Sequence, residues 1–198
     1  NQYGARLRSA TFVTNSGQAV LEIRNSTLSG HTYFQQPMIQ CAVGSSVKFY
    51  NSILWRYGSQ NPNTNLINDI ITNNNNDVNI CDIKNSILFK QLGTTLTNST
   101  TGINPRLTDL SNPEGPDRLM YTADDGFIPC SCSPGVNSGL NSLNLQAVDI
   151  LNNNRIINGN IDRGAYEISN TVTDNKVFYV KPGPLGGNGL SWTTAFNN

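Results

Sequence analysis

Charge is what this chain has least of. Only 13% of its 198 residues are charged, against roughly a quarter in an ordinary globular domain. Its 13 Lys and Arg balance 13 Asp and Glu, and a net charge of zero gives no electrostatic footprint for nucleic acid or for an anionic membrane. No unbroken apolar stretch approaches the roughly 18 residues of a membrane span, so no membrane insertion is expected. The single histidine, His31 in Gly30-His31-Thr32, argues against a triad or metal centre built on imidazole. The start carries neither an initiator Met nor a signal-peptide pattern. Because it opens directly on a repeat copy, the chain is expected to be a piece of something longer.

Asn, Ser, Thr and Gly supply the polar character, and runs such as Asn73 to Asn76 and Asn152 to Asn154 read as turns between apolar strands. One six-residue pattern recurs. Its copies read LRSATF from Leu7, IRNSTL from Ile23, FYNSIL from Phe49 and IKNSIL from Ile83. The first column (Leu7, Ile23, Phe49, Ile83) and the sixth (Phe12, Leu28, Leu54, Leu88) are apolar throughout. Two residues before each copy, Ala5, Leu21, Val47 and Cys81 extend the apolar set at period two, as alternate residues of a half-buried strand should. The second column, with Arg8, Arg24, Tyr50 and Lys84, therefore faces outward. The third holds Ser9, then Asn25, Asn51 and Asn85.

If successive copies stack as parallel strands, like side chains lie over like, and the amides of Asn25, Asn51 and Asn85 are expected to hydrogen-bond to one another as a structural ladder. The starts are offset by 16, 26 and 34 residues, so connecting loops vary while the strand does not. That irregularity suits a coil of rungs with loops bulging from one side. It suits a helical repeat badly, because Asn and β-branched residues stand where helix formers would be needed.

Four cysteines allow three pairings. Cys81 sits in the inward column above Val47, which suits either a small buried hydrophobe or a disulfide with Cys41. Cys130-Ser131-Cys132 is too close for an ordinary structural disulfide and lacks the second pair that a zinc site needs. Trp55-Arg56-Tyr57 follows the third copy where a loop leaves the coil; it offers either loop packing or an exposed aromatic-arginine surface for glycan contact. Asp109, Glu114, Asp117, Asp124 and Asp125 fall in a turn-rich stretch and form a candidate cation site, with Ca²⁺ as the ion, since that hard cation takes about 6 to 8 oxygens. Their spacing does not match an EF-hand loop. Two glycosylation-type sequons start at Asn25, which belongs to the ladder, and at Asn98, in a Ser/Thr-rich loop.

After Thr101 the pattern changes. The order Asn104-Pro105-Arg106-Leu107, Ala123-Asp124-Asp125-Gly126, Ser133-Pro134-Gly135-Val136-Asn137-Ser138-Gly139 and Asn152 to Glu167, ending Asp162-Arg163-Gly164-Ala165-Tyr166-Glu167, resembles the C-terminal closing segment of bacterial surface proteins with a right-handed parallel β-helix. In these, "DGL…SPAIDAG…D…G…R…DIGAYE" recurs, a closing segment of the choice-of-anchor-Q kind. The upstream copies resemble their rungs, and Val177 to Phe196, with Trp192, resembles the opening "YVKPGATGNGSSWANAF" of the same proteins. Arg163 stands where an apolar residue is common, Gly135 where alanine is usual, and Cys130 and Cys132 are additions.

The resemblance implies an all-β right-handed parallel β-helix, a solenoid with variable loops and an irregular closing segment. It divides the chain into rungs at 1–100, the closing segment at 101–168, a linker at 169–176 and the opening strand and cap of a next tandem module at 177–198. Proteins of this kind are large, secreted Bacteroidetes surface proteins, among them gliding-motility adhesins. The implied function is structural and adhesive, in a stalk or filament at the bacterial cell surface, with neighbouring modules and surface polysaccharide as partners and no catalysis. The alternative is a polysaccharide-processing lyase or hydrolase. It needs clustered carboxylates, and near the outward stripe only Glu22, Asp77 and Asp82 are found.

Overall fold

The computed structural model describes residues 6–7, 12–14, 19–31, 38–41, 45–57, 70–72, 81–91, 95–169, 180–181 and 196–197. Almost all regular structure is β. The strands are β1 (Arg6–Leu7), β2 (Phe12–Thr14), β3 (Val20–Arg24), β4 (Thr27–His31), β5 (Ile39–Cys41), β6 (Ser46–Tyr50), β7 (Ile53–Tyr57), β8 (Ile70–Thr72), β9 (Cys81–Lys84), β10 (Ile87–Leu88), β11 (Leu96–Thr97), β12 (Thr100–Thr101), β13 (Val180–Lys181) and β14 (Phe196–Asn197). Sheet A has the order β11-β9-β6-β3, sheet B β1-β4-β7-β10-β12, and sheet C β2-β5-β8. Every pairing between these strands is parallel, as is that of β13 with β14.

From β1 to β10 the chain visits the sheets in a repeating order, from A to B to C and back to A, and the next two strands, β11 and β12, add to A and B alone. Each strand pairs with its counterpart one circuit later. Inward residues of all three sheets meet in one core: Val47, Phe49 and Ile83 from sheet A, Leu28, Leu54 and Leu88 from sheet B, and Ile39 and Ile70 from sheet C. Period-two patterning accounts for this, since alternate residues of each strand point to the same side.

Three of the four copies have the register their columns demand. Ile23 lies beside Phe49 and Phe49 beside Ile83, with Arg24, Tyr50 and Lys84 in line next to them. Leu28, Leu54 and Leu88 align in sheet B, and Cys81 stands beside Val47. The copy from Leu7 does not belong to this series. Leu7 pairs with Gly30 in sheet B, so its apolar spacing matches the pattern while its place in the circuit does not. Arg8 and Ser9 lie outside the described residues.

Between sheets A and B the chain turns a corner in two residues, and the first is always asparagine. Asn25, Asn51 and Asn85 have φ of 45°, 47° and 49°, the left-handed region that asparagine tolerates better than other residues with a Cβ. Asn98, at φ 47°, occupies the same corner one circuit on, because Leu96–Thr97 pairs with Ile83 and Lys84. The expected amide ladder is therefore corrected. The asparagines stack through their backbones, with Asn25 N–H donating to Tyr50 O (3.1 Å), Asn51 N–H to Lys84 O (3.1 Å) and Asn85 N–H to Thr97 O (2.9 Å). Their amides do not bond one another, and the Oδ1 atoms of Asn25 and Asn85 are buried without a partner.

The side-chain ladder belongs to the serines that follow. Ser26 N–H donates to Ser52 Oγ (3.1 Å), Ser52 N–H to Ser86 Oγ (3.2 Å) and Ser86 N–H to Ser99 Oγ (3.0 Å). Each hydroxyl donates in turn to the carbonyl two residues back, at Arg24, Tyr50, Lys84 and Thr97. A serine Oγ can accept and donate at once, so one short side chain satisfies the corner on both sides.

From Gly102 to Ile168 the chain is a series of turns with one 3-10 turn, Asn141–Leu143. This closing segment covers the outer face of sheet B. Ile53, Trp55, Ile87 and Phe89 point outward from β7 and β10 and beyond, and Leu107 and Leu110 pack on them. The same two leucines join a second cluster of Phe127, Ala165 and Tyr166. At β7 and β10 sheet B is thus buried on both faces, which is why Ile53-Leu54-Trp55 and Ile87-Leu88-Phe89 read as unbroken apolar runs.

Ser52 is fully buried. Ser52→Ala leaves the Ser26 N–H without its acceptor and is expected to cost about 1–3 kcal/mol. Ser99→Ala, at the half-exposed end of the column, is expected to cost less than half as much. Equal shifts of the two variants in a thermal melt would contradict a ladder that gains strength from burial.

Candidate functional site

The densest polar chemistry lies where the closing segment crosses the A–B corner. Asn51 binds the backbone of Leu140 in both directions, Nδ2 donating to Leu140 O at 3.0 Å and Oδ1 accepting from Leu140 N–H at 2.8 Å. Asn25 Nδ2 donates to Asn144 Oδ1 (2.7 Å) and Gln146 Oε1 (2.6 Å). The stretch Arg163-Gly164-Ala165 then runs across successive corners. Arg163 donates to Ser138 O (3.0 Å), Ser86 O (3.4 Å) and Asn98 O (3.1 Å), Gly164 N–H to Asn51 O (2.8 Å), and Ala165 N–H to Thr27 Oγ1 (3.0 Å). Arg163 thus acts as a clamp on two circuits. Burial holds its guanidinium below its ordinary pKa.

Behind this strap lies a buried charged cluster. Arg155 is 2% exposed and donates to Ala165 O (3.1 Å), to Asn25 O (3.2 Å) and to Gly164 O. Glu167 lies 3.8 Å from Arg155 Nη1 and accepts from the Asp162 N–H at 3.1 and 3.2 Å. Asp162 accepts from the N–H groups of Asn137 (2.6 Å) and Ile168 (2.7 Å), and Asp149 from those of Leu151 (2.9 Å), Asn153 (2.8 Å) and Glu167 (2.8 Å). Asp125, fully buried, accepts from Tyr121 N–H (2.7 Å) and from the Tyr166 hydroxyl (2.5 Å). Burial pushes the Glu167 carboxyl up to about 8 and raises Asp162. Burial, reinforced by Asp125, also raises the Tyr166 phenol. These groups make turns and hold the strap; all are shielded from solvent.

The outward column of sheet A is half-buried at Arg24 and Lys84, buried at Tyr50 between them, and internally matched. Arg24 lies over the Tyr50 ring at 4.7 Å and Lys84 at 5.4 Å. Glu22 pairs with Arg24 and, at 3.7 Å, with Lys48; Asp82 accepts from the Tyr50 hydroxyl and pairs with Lys84 at 2.9 Å. The Arg24 hydrogen bond lowers the Glu22 pKa. For Asp82 burial opposes the Tyr50 and Lys84 hydrogen bonds, and the net direction is down. Burial and the Asp82 partner push Tyr50 up to about 12. The side chain of Asp77 lies outside the described residues.

Three candidate sites are corrected by burial and bonding. Trp55 is 8% and Arg56 3% exposed, and Trp55 meets Phe89 edge-on at 5.1 Å; their strand continues sheet B under the closing segment, so no stacking face is left for a sugar. The Tyr57 and Cys41 side chains lie outside the described residues, and with Cys41 the Cys41–Cys81 pairing. The acidic turns do not converge. Asp109 accepts from Ser111 N–H (2.9 Å), Asp117 from Leu119 N–H (2.8 Å), Asp124 from Thr122 Oγ1 (2.7 Å) and Asp117 N–H (3.1 Å), while Asp125 points inward and Glu114 is exposed. Hydrogen bonds from Ser111 lower the pKa of Asp109, and that from Thr122 lowers the pKa of Asp124. Among the described residues no three His, Cys, Asp or Glu side chains are grouped to hold a metal ion.

The third correction concerns Cys130 and Cys132, which form a disulfide with Cα atoms 5.2 Å apart, inside the usual range. A ring of three residues can span that distance because the turn Cys130–Ser133 brings the two side chains to one side, with Ser133 N–H donating to Cys130 O at 2.9 Å. Closing so short a ring removes only about 1–2 kcal/mol of chain entropy.

The serine ladder, the fourth corner at Asn98 and Arg155 escaped the sequence reading. The first two had a visible signal, since Asn25-Ser26, Asn51-Ser52, Asn85-Ser86 and Asn98-Ser99 share one dipeptide. Arg155 had none. No protein-family model matches the chain, and no curated protein matches it.

Between the ordinary Glu value of 4.5 and about 8 the folded chain keeps a proton on Glu167 that the unfolded chain has lost. Stability from this group is therefore complete below the ordinary value and falls as pH rises through about 8; Asp162 acts in the same sense. Glu167→Gln is expected to flatten most of that fall in denaturation midpoints measured from pH 5 to 8. A wild-type midpoint that does not decrease over this window would contradict the assignment. Trp55→Ala is expected to cost about 3–5 kcal/mol, whereas an exposed stacking residue would cost almost nothing; chemical denaturation distinguishes the two.

Proposed function

We propose that this chain is part of a right-handed parallel β-helix that serves as a structural and adhesive repeat module of a large, secreted bacterial cell-surface protein. The observation that carries the reading is the repeating A-B-C order of three parallel sheets around one core. Parallel crossovers are right-handed in about 98% of cases, which supports the handedness. Circuits about 4.8 Å apart, tied by the Asn-Ser corner and crossed by the strap, make a stiff element rather than a hinged one. Tandem modules then give length, and the loops, whose size varies while the corner stays fixed, offer contacts that gain strength through multivalency.

A hydrolytic or eliminating site would need a carboxyl held protonated beside a second carboxylate, open to substrate. The accessible pair, Glu22 and Asp82, is held below ordinary values by its own partners, and the raised pair, Glu167 and Asp162, is buried under the strap. The binding reading therefore stands ahead of the enzymatic one. Incubation with Ca²⁺ and a panel of acidic and neutral polysaccharides, followed by mass spectrometry, is expected to release no shortened chains. Shortened chains that disappear with Glu22→Gln or Asp82→Asn would overturn the proposal.

A further inference from the structure

We propose that the Cys130–Cys132 disulfide is a thiol-exchange site that accepts a low-molecular-weight thiol without unfolding of the chain. Three observations converge on it. Cys132 is exposed and Cys130 half-buried, so a thiolate reaches the bond from solvent. The surrounding turn is held independently of the sulfurs: Cys130 N–H donates to Arg106 O (2.9 Å), Ser133 N–H to Cys130 O (2.9 Å), and Leu107 bridges to Pro129. The ring has only three residues, so short that the cross-link restrains the unfolded chain little. A disulfide that is exposed and contributes little to the fold belongs with the labile, exchangeable kind rather than the structural kind. Arg106 adds an electrostatic element. Its Nη1 donates to Cys132 O at 3.1 Å, which brings a permanent cation to the ring, where it favours both the approaching and the departing thiolate.

The chemistry is balanced. A thiolate attacks Cys132 Sγ, a new S–S bond forms between them, the Cys130–Cys132 bond breaks, and its electron pair leaves on Cys130 Sγ. Either Cys130 returns and expels the thiol, restoring the ring, or a second thiolate attacks the sulfur of the bound thiol. That attack releases the symmetrical disulfide of the small molecule and leaves Cys130 and Cys132 reduced by two electrons.

The test uses the full chain in buffers of graded reduced-to-oxidised glutathione ratio, quenched by alkylation and mapped by peptide mass spectrometry, with circular dichroism recorded on the same samples. The expected result is a glutathione adduct on Cys132 and a reduced Cys130/Cys132 pair in the more reducing buffers, with the folded signal unchanged. Cys130→Ser is expected to trap the adduct on Cys132, and Arg106→Gln to slow exchange several-fold with no change in the circular dichroism spectrum. Resistance of the bond until denaturant is added, or loss of folded signal in step with reduction, would overturn the proposal and make the disulfide structural. Failure of Cys130→Ser to capture glutathione while it remains folded would do the same.

Discussion

The structure depends on a corner. A chain that passes from one parallel sheet to the next in two residues must take one of them through the left-handed region, which costs an ordinary L-residue about 1–2 kcal/mol. Asparagine lowers that cost, and the serine after it supplies an acceptor for the previous circuit and a donor for its own backbone. Repeating Asn-Ser at each corner makes the turns identical, and identical turns fix the register of both flanking sheets. Arg24, Tyr50 and Lys84 then fall in line, as do Leu28, Leu54 and Leu88.

The corner also explains where the closing segment lies. At left-handed positions the asparagine side chains leave the stack and meet the segment from outside, so Asn51 reads Leu140 and Asn25 reads Asn144 and Gln146. The strap follows the same line with its backbone. Gly164 has φ +108°, and a Cβ there would stand 2.7 Å from Thr27 Oγ1 and 3.0 Å from Ile53 Cδ1. Only glycine lets the strap approach so closely. Its neighbours close over Arg155, whose burial is tolerable because its guanidinium donates to the carbonyls of Asn25, Gly164 and Ala165. Covering sheet B in this way turns the outer faces of Ile53, Trp55, Ile87 and Phe89 into core.

Strand positions and inward columns were legible because period two is a property of neighbouring residues, and Val47, Phe49 and Ile83 carry it without reference to the rest of the chain. The parallel stacking followed from the copies at Ile23, Phe49 and Ile83. The copy at Leu7 misled for the same reason, since six residues of apolar spacing do not say which sheet they enter. The asparagines were legible as a column but not as a conformation: a repeated amide suggests side-chain stacking, whereas φ near +47° comes from the need to turn. For Trp55 the choice between loop packing and an exposed sugar-binding face stayed open in the sequence, because the surface that buries it comes from Leu107 and Leu110, more than fifty positions later. The acidic turns are a candidate site by sequence proximity alone, which does not group their carboxylates around one ion.

If the strap and the corners form one cooperative unit, amide hydrogen exchange on wild type and Gly164→Ala shows it. A Cβ at position 164 pushes the strap off Thr27 and Ile53. Protection is then expected to be lost together at the strap and at the amides of Asn25, Asn51, Ile53 and Ile87, across three circuits. Loss confined to residues 162–168, with those four corner and sheet B amides as protected as before, would contradict it.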